Sequence, residues 1–289
     1  MVDGSLRLKE WGDLGRGLPS KEKSRVPVSW ESCRRLINSA EALVGPKVSK
    51  LQDLIRKSEA RLSLQEPLTL RFDRHRWLAS DREEAYSDWL ALVLTELGAQ
   101  FIKPLLYGNE IPPTLSDAQG DFTVDREFWV PNGHEGHGGR LDLAITFDSG
   151  QVLVIEVKVV GAEAADTEKQ KGYVHWLKRQ EKPVKPILIA IDGSSEYHGF
   201  RTLKWEDFCK RARFLLPKVI HRRGVVVASL LAAFVGAVEV NLLRFPALHW
   251  ISTGQEPRTV LAALRLGSGL DEVIDYLGKC VNEEVRRDV

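Results

Sequence analysis

The reading of GRLDLAITFDSGQVLVIEVKVV, Gly139 to Val160, decides the fold. Leu141 to Phe147 and Val152 to Val160 are short and rich in Val, Ile and Leu. Between them, Asp148, Ser149 and Gly150 suit a three-residue hairpin loop with Gly in the left-handed position. That loop sets the register: with Phe147 opposite Gln151, Asp142 falls opposite Glu156 and Arg140 opposite Lys158. Glu156 and Lys158 are two residues apart and share a face, while Ile155, Val157 and Val159 take the other.

The hairpin therefore gathers Asp142, Glu156 and Lys158. Side-by-side carboxylates repel, and burying each ion in an apolar sheet costs several kcal/mol unless a partner compensates. A divalent cation is the natural compensation, because hard ions such as Mg²⁺ prefer carboxylate oxygens. A Lys beside the metal can orient a water or stabilise a phosphoryl oxygen. The plainer alternative makes Glu156 and Lys158 the solvent face of an edge strand. Against it, Val152, Val154 and Val160 would share the face of Glu156, and a solvated face should carry polar residues along its length.

Asp142, thirteen intervening residues, then Glu156-Val157-Lys158 resembles the core motif of the PD-(D/E)XK nuclease superfamily. Leu141 stands where that motif has Pro. The resemblance implies that Asp142 and Glu156 bind Mg²⁺ or Mn²⁺, with the Val157 carbonyl as a further ligand, and that Lys158 sits beside the attacking water. It extends upstream to Ser80–Leu97, a strong helix with Tyr86, Leu90, Val93, Leu94 and Leu97 on its apolar side. The family's helix often carries a Glu near its start, and Glu83 matches it, with Glu84 as the fallback. Glu83 also completes a capping box with Ser80, which would give it a purely local role, and Asp81 to Glu84 has the same spacing.

Downstream, Ala162 to Gln180 is helical, and Gln170 and Tyr173 lie on one side of it. The family commonly carries a Gln and a Tyr here at a spacing of four; in this chain the spacing is three, and Lys169 occupies the usual Gln position. Gln170, Tyr173 and Arg140 are the candidate substrate contacts. The resemblance covers Glu83 to Trp176, and the run AAFVGAVEVNLL is similar to C-terminal helices of bacterial nuclease-like proteins.

Composition bounds the rest. A chain of 289 residues that is 43% hydrophobic can hold one elaborated domain. A net charge of +1 says nothing for or against a nucleic-acid partner, so any contact must rely on local clusters and metal. The scattered Cys33, Cys209 and Cys280 have no zinc-ribbon spacing and fit a reducing compartment. The N-terminal stretch has no apolar h-region, and Val225 to Val238 is too short to span a bilayer. The expectation is a cytoplasmic protein with no membrane association.

In chain order, the first 25 residues read as a loosely held arm. Ser29 to Val44, with Ser29 as N-cap and Gly45-Pro46 as stop, and Ser49 to Leu62 are expected to form two antiparallel helices. Phe122 to Val130 is a first strand beside the hairpin, and Pro186 to Ile191 another. His134 and His137 lie in a Gly-rich loop just before the motif and read as turn residues near the site entrance. Lys210, Arg211, Arg213, Lys218, His221, Arg222 and Arg223, on and after the helix Trp205–Leu216, form the densest basic region and the first candidate for backbone contact. Val225 to Leu243 and Val260 to Val285 are helical, with Ser268-Gly269 breaking the second.

The expected architecture is α/β: a restriction-endonuclease-like core at 66–220 with a central mixed β-sheet flanked by helices, an arm and helical pair at 1–65, and a C-terminal helical extension at 221–289. The expected function is divalent-metal-dependent hydrolysis of nucleic-acid phosphodiesters, DNA before RNA, with Glu83 assisting Asp142, Glu156 and Lys158. The alternative is a catalytically silent subunit of the same fold that binds nucleic acid or protein. Oligomeric state stays open between a monomer, a homodimer and a complex with a partner protein.

Overall fold

The hairpin forms in the expected register. In the computed structural model, which describes residues 29–70, 78, 82–116, 118, 120–130, 139–252, 263, 264, 266 and 269–282, β2 (Gly139–Phe147) pairs antiparallel with β3 (Gln151–Val157). Leu143 lies opposite Ile155 and Thr146 opposite Val152. Gly150 has φ +89° and donates its N–H to the Phe147 carbonyl at 2.8 Å, the tight turn that a residue with Cβ adopts only with strain.

Around this hairpin the chain builds one mixed sheet. β1 (Phe122–Val130) pairs antiparallel with β2, while β5 (Ile187–Ala190) and β7 (Phe200–Lys204) continue parallel from β3. The two-residue strands β4 (Lys182–Pro183) and β6 (Glu196–Tyr197) pair with β3 and β7. Along the sheet the order is β1, β2, β3, β5, β7, β6, so β3 is an interior strand. Its Leu153, Val154, Ile155 and Val157 are fully buried, as an interior strand with both faces covered requires. That removes the edge-strand reading of Glu156 and Lys158.

Helices cover both faces. On one, α2 (Glu83–Leu97), α3 (Ala99–Tyr107), α6 (Trp205–Arg223) and α7 (Val225–Asn241) pack Tyr86, Leu90, Trp205, Phe208 and Phe234 against Leu143, Ile145, Ile155 and Ile189. On the other, α5 (Thr167–Leu177) lays Tyr173 and Leu177 over Ala144, Val154 and Leu188. Asp166 starts α5, its carboxylate accepting the N–H groups of Glu168 and Lys169 at 3.0 and 3.2 Å. The short α4 (Pro113–Ser116) precedes β1, and α8 (His249–Ser252) and α9 (Gly269–Asn282) complete the described helices. The architecture is thus α/β, a mixed open sheet flanked by helices.

The chain divides into two units, Met1–Ala42 and Leu43–Val289. In the first, Ser29 caps its helix as expected, its Oγ accepting the Ser32 N–H at 3.1 Å. The expected helical pair is instead one helix, α1 (Trp30–Leu62), with Pro46 inside it. Proline removes only the bond to the Ala42 carbonyl, and Val44, Val48, Leu51 and Ile55 keep one helical stripe in phase through it. In the second unit, that stripe packs with Val273, Ile274 and Leu277 of α9. The arm at 1–25, the His134/His137 loop and, within 260–285, residues 260–262, 265, 267, 268 and 283–285 lie outside the described residues.

Candidate active site

Asp142 is where the alternation of β2 changes sides. Leu143, Ile145 and Phe147 face the α2 layer, but Leu141 packs with Val130, Ala144 and Tyr173 under α5. Opposite this point on β1, Glu127 has φ +49°, a left-handed conformation rare for a residue with a side chain. Asp142 takes the place of a ladder partner: its Oδ2 accepts the Val157 N–H at 2.7 Å. The β2–β3 ladder ends at Leu143 and Ile155, while on the other side of β3 the Lys158 N–H donates to the Ile189 carbonyl of β5 at 2.7 Å. This corrects the expected pairing of Arg140 with Lys158; the cross-strand partner of Arg140 is Trp129, and its guanidinium donates to Glu127 at 2.8 Å.

Lys158 is the centre of the cluster. Its ammonium donates to Glu83 Oε1 at 2.6 Å and to the Val157 carbonyl at 3.1 Å, and stands 3.1 Å from Glu156 Oε1. The Lys158 carbonyl accepts the indole N–H of Trp205 at 2.8 Å, which fixes the backbone from the start of α6. The side chains of Lys158 and Glu156 are each 12% exposed and that of Glu83 32%, so the cluster is a recess open on the Glu83 side.

The electrostatics are strained in one direction. Burial pushes the Asp142 carboxyl up to about 6, against the Val157 N–H and Lys158, which favour its charge. Burial and then the neighbouring Asp142 push Glu156 up to about 7. Burial disfavours the charge on Lys158, but Glu156, Glu83 and Asp142 outweigh it and hold the ammonium protonated well past its ordinary range. Three carboxylates face one ammonium, and the recess is short of positive charge.

Two buried polar groups have no hydrogen-bond partner among the described residues. Glu156 Oε2 is buried without a hydrogen bond, and so are both amide atoms of Gln170, which is 1% exposed. Tyr173, three residues on, donates to the Arg140 carbonyl at 2.9 Å. A Cβ at Gly139 would stand 2.6 Å from that hydroxyl, so the absence of a side chain there lets Tyr173 reach β2. Among the described residues no group of three or more His, Cys, Asp and Glu is placed to hold a metal ion. The oxygen atoms available to a divalent cation here are those of Asp142, of Glu156 with its orphaned Oε2, and the Val157 carbonyl, of which Asp142 Oδ2 and the carbonyl already accept hydrogen bonds.

Of the residues picked out from sequence, Glu83, Asp142, Glu156 and Lys158 come together, with Gln170 and Tyr173 in the overlying helix. Glu83 is not a capping-box residue. The N-cap of α2 is Arg82, with no side-chain cap, and Glu83 is the first helical residue. Glu84 is exposed, and so is Lys169, whereas Gln170 points inward. Ser80 and Asp81 lie outside the described residues.

The basic region is a further correction. Arg213 is 2% exposed and bonded to Glu66 and Glu239; Lys210 pairs with Glu206 at 2.8 Å; Arg211 donates to the Leu106 carbonyl at 2.5 Å. Helical spacing turns these side chains toward different neighbours, leaving Lys218, His221, Arg222 and Arg223 exposed at its end. Sequence reasoning also missed Arg126, whose charge bears on Asp142, and Gly139; the Gly beside the first strand residue was the available signal.

No protein-family model, curated protein or solved structure matches this chain. Among the described residues, no helix is long and apolar enough to cross a membrane.

Proposed function

We propose that this chain is a divalent-metal-dependent nuclease with a restriction-endonuclease-like core, hydrolysing phosphodiester bonds in nucleic acid, DNA before RNA. The observation that carries the reading is the recess at the end of β3, where Asp142 and Glu156 stand together short of positive charge, beside Lys158. Burial raises both carboxyl pKa values, and a bound cation would offset that cost. Asp142, Glu156 and the Val157 carbonyl would hold Mg²⁺ or Mn²⁺. When bound, that ion supplies Lewis acidity toward the phosphodiester and neutralises the carboxylate pair.

The chain's own groups divide the remaining work. Lys158 stays protonated and is therefore a donor rather than a base: its N–H groups orient the attacking water and stabilise charge developing on the phosphoryl oxygens. Glu83 holds the ammonium in place and charged. Gln170 offers its unpartnered amide to substrate or to water, and Tyr173 fixes the β2 backbone through Arg140. Arg140 contacts a phosphate.

The test is cleavage of single-stranded, duplex and plasmid DNA and of RNA with Mg²⁺, Mn²⁺ or EDTA. Cutting should require the metal and fall by about 10²-fold or more in Asp142→Ala and in Lys158→Ala. Cutting that survives EDTA or both substitutions overturns the reading. With no cutting at all, calorimetry with Mn²⁺ decides: binding lost in Asp142→Ala retains the metal site, and no binding shifts the reading to a silent binding subunit.

A further inference from the structure

The reversal of faces at Asp142 has an effect on the next residues of the two outer strands. Because Phe128 and Leu141 turn under α5, their neighbours Trp129 and Arg140 turn the other way, toward the side from which α2 brings Glu83. Neither is covered. Trp129 is 64% exposed, and the Arg140 side chain is 60% exposed. They lie directly opposite one another across the β1–β2 ladder, two residues from Asp142, about 7 Å along the strand.

Trp129 presents an exposed aromatic face on the edge strand β1. Its neighbours are anchored under α5: Phe128 packs tilted against Trp176 with ring centroids 5.3 Å apart, and Tyr173 donates to the Arg140 carbonyl. Arg140 is paired with Glu127, but both side chains are exposed, and such a pair contributes so little that a phosphate can displace it. An aromatic face with a cation across from it matches a nucleotide, with the base on the ring and the phosphate on the guanidinium.

We propose that Trp129 is a stacking platform for an unpaired base, and that with Arg140 it directs the site toward single-stranded or frayed nucleic acid. The assignment rests on the nuclease reading for its biological sense, but its physical content is a binding preference. In a duplex the base faces are already stacked on one another, so Trp129 gains a partner only where a base is free.

The experiment measures binding of an end-labelled oligothymidylate and of a matched duplex in EDTA, where no cutting occurs, to the full chain. Trp129→Ala should weaken single-strand binding at least about fivefold relative to its effect on the duplex, and Trp129→Phe should restore most of it. Arg140→Ala should weaken both ligands and reduce the salt slope by about 1. Equal loss for both ligands in Trp129→Ala, no loss, or no binding of single strands by the native chain overturns the proposal. The nuclease reading is scored separately on the same preparations by metal-dependent cleavage and by Asp142→Ala. Stacking without cleavage and cleavage without stacking therefore give different results.

Discussion

Two clusters of buried charge lie in the Leu43–Val289 unit, and they are completed to different degrees. At Arg213 the guanidinium is bidentate to both Glu66 and Glu239, with bonds of 2.5 to 2.9 Å among them. Ser58 and the Leu68 N–H also donate to Glu66, and Tyr276 to Glu239. Every oxygen there has a donor, and both carboxylates are fully buried. At Lys158 the carboxylates also outnumber the cation, but among the described residues Glu156 Oε2 has no donor, and the recess is open on one side. A network closed within the chain joins helices, here α1, α6, α7 and α9; one left open is completed only by something that binds.

The sharpest way to break the comparison is to remove each cation. Arg213→Met strands two buried carboxylates against each other and should cost about 3–5 kcal/mol, read from urea midpoints near neutral pH. Adding Glu66→Gln and Glu239→Gln should return much of that loss. Lys158→Met should cost clearly less, because Asp142 at about 6 and Glu156 at about 7 can take up protons once the ammonium is gone. Equal losses at the two sites would mean that both are structural.

A second test uses pH. A carboxyl whose pKa is raised on folding binds protons more tightly in the folded chain, so its contribution to stability is greatest at low pH and is lost as pH rises through the folded value. Asp142 and Glu156 should therefore penalise the metal-free fold progressively from about pH 4 to about pH 7, by on the order of a few kcal/mol together, and by a constant amount above. The readout is the difference in urea stability between the native chain and Asp142→Asn/Glu156→Gln at pH 5 and pH 7.5. Saturating Mn²⁺ should abolish the native chain's penalty. A smaller effect follows for Asp142→Asn alone: at pH 7.5 without metal it should be more stable than the native chain by about 1 kcal/mol, while losing its thermal shift with Mn²⁺. A native chain that outlasts the variants at pH 7.5 would contradict the charge deficit.

These tests rest on residues that sequence made legible to different degrees. The hairpin register, the strand Phe122–Val130 and the gathering of Asp142, Glu156 and Lys158 follow from turn chemistry and period-two alternation, which are local. Glu83 needed the fold, because its bond to Lys158 joins residues 75 apart in sequence, and Ser80 offered a nearer explanation. Arg213 was misread for the same reason. In sequence it sits in a basic run, and only tertiary packing brings Glu66 and Glu239 to it. Pro46 shows the reverse error: the local breaker was weighed above a helical stripe that continues through it. The change of faces at Asp142 has no signal in composition, since alternation continues in the letters while the strand twists through Glu127 and Asp142.

Gln170 gives the finest test, because both of its amide atoms are buried without a partner among the described residues. A buried primary amide with neither atom bonded costs about 1–3 kcal/mol relative to a satisfied one. Leu has nearly the same reach without the polar atoms, so Gln170→Leu should stabilise the unliganded chain by about 1 kcal/mol in a urea titration. It should also lower cleavage or Mn²⁺-induced stabilisation, since the amide is then missing when the recess is filled. Stabilisation together with lost function is the signature of a group kept for its ligand. If Gln170→Leu instead destabilises the chain and leaves both readouts unchanged, the amide is satisfied within the fold. Gln170 would then be a structural group like Arg213, and the open side of the recess would narrow to Glu156 alone.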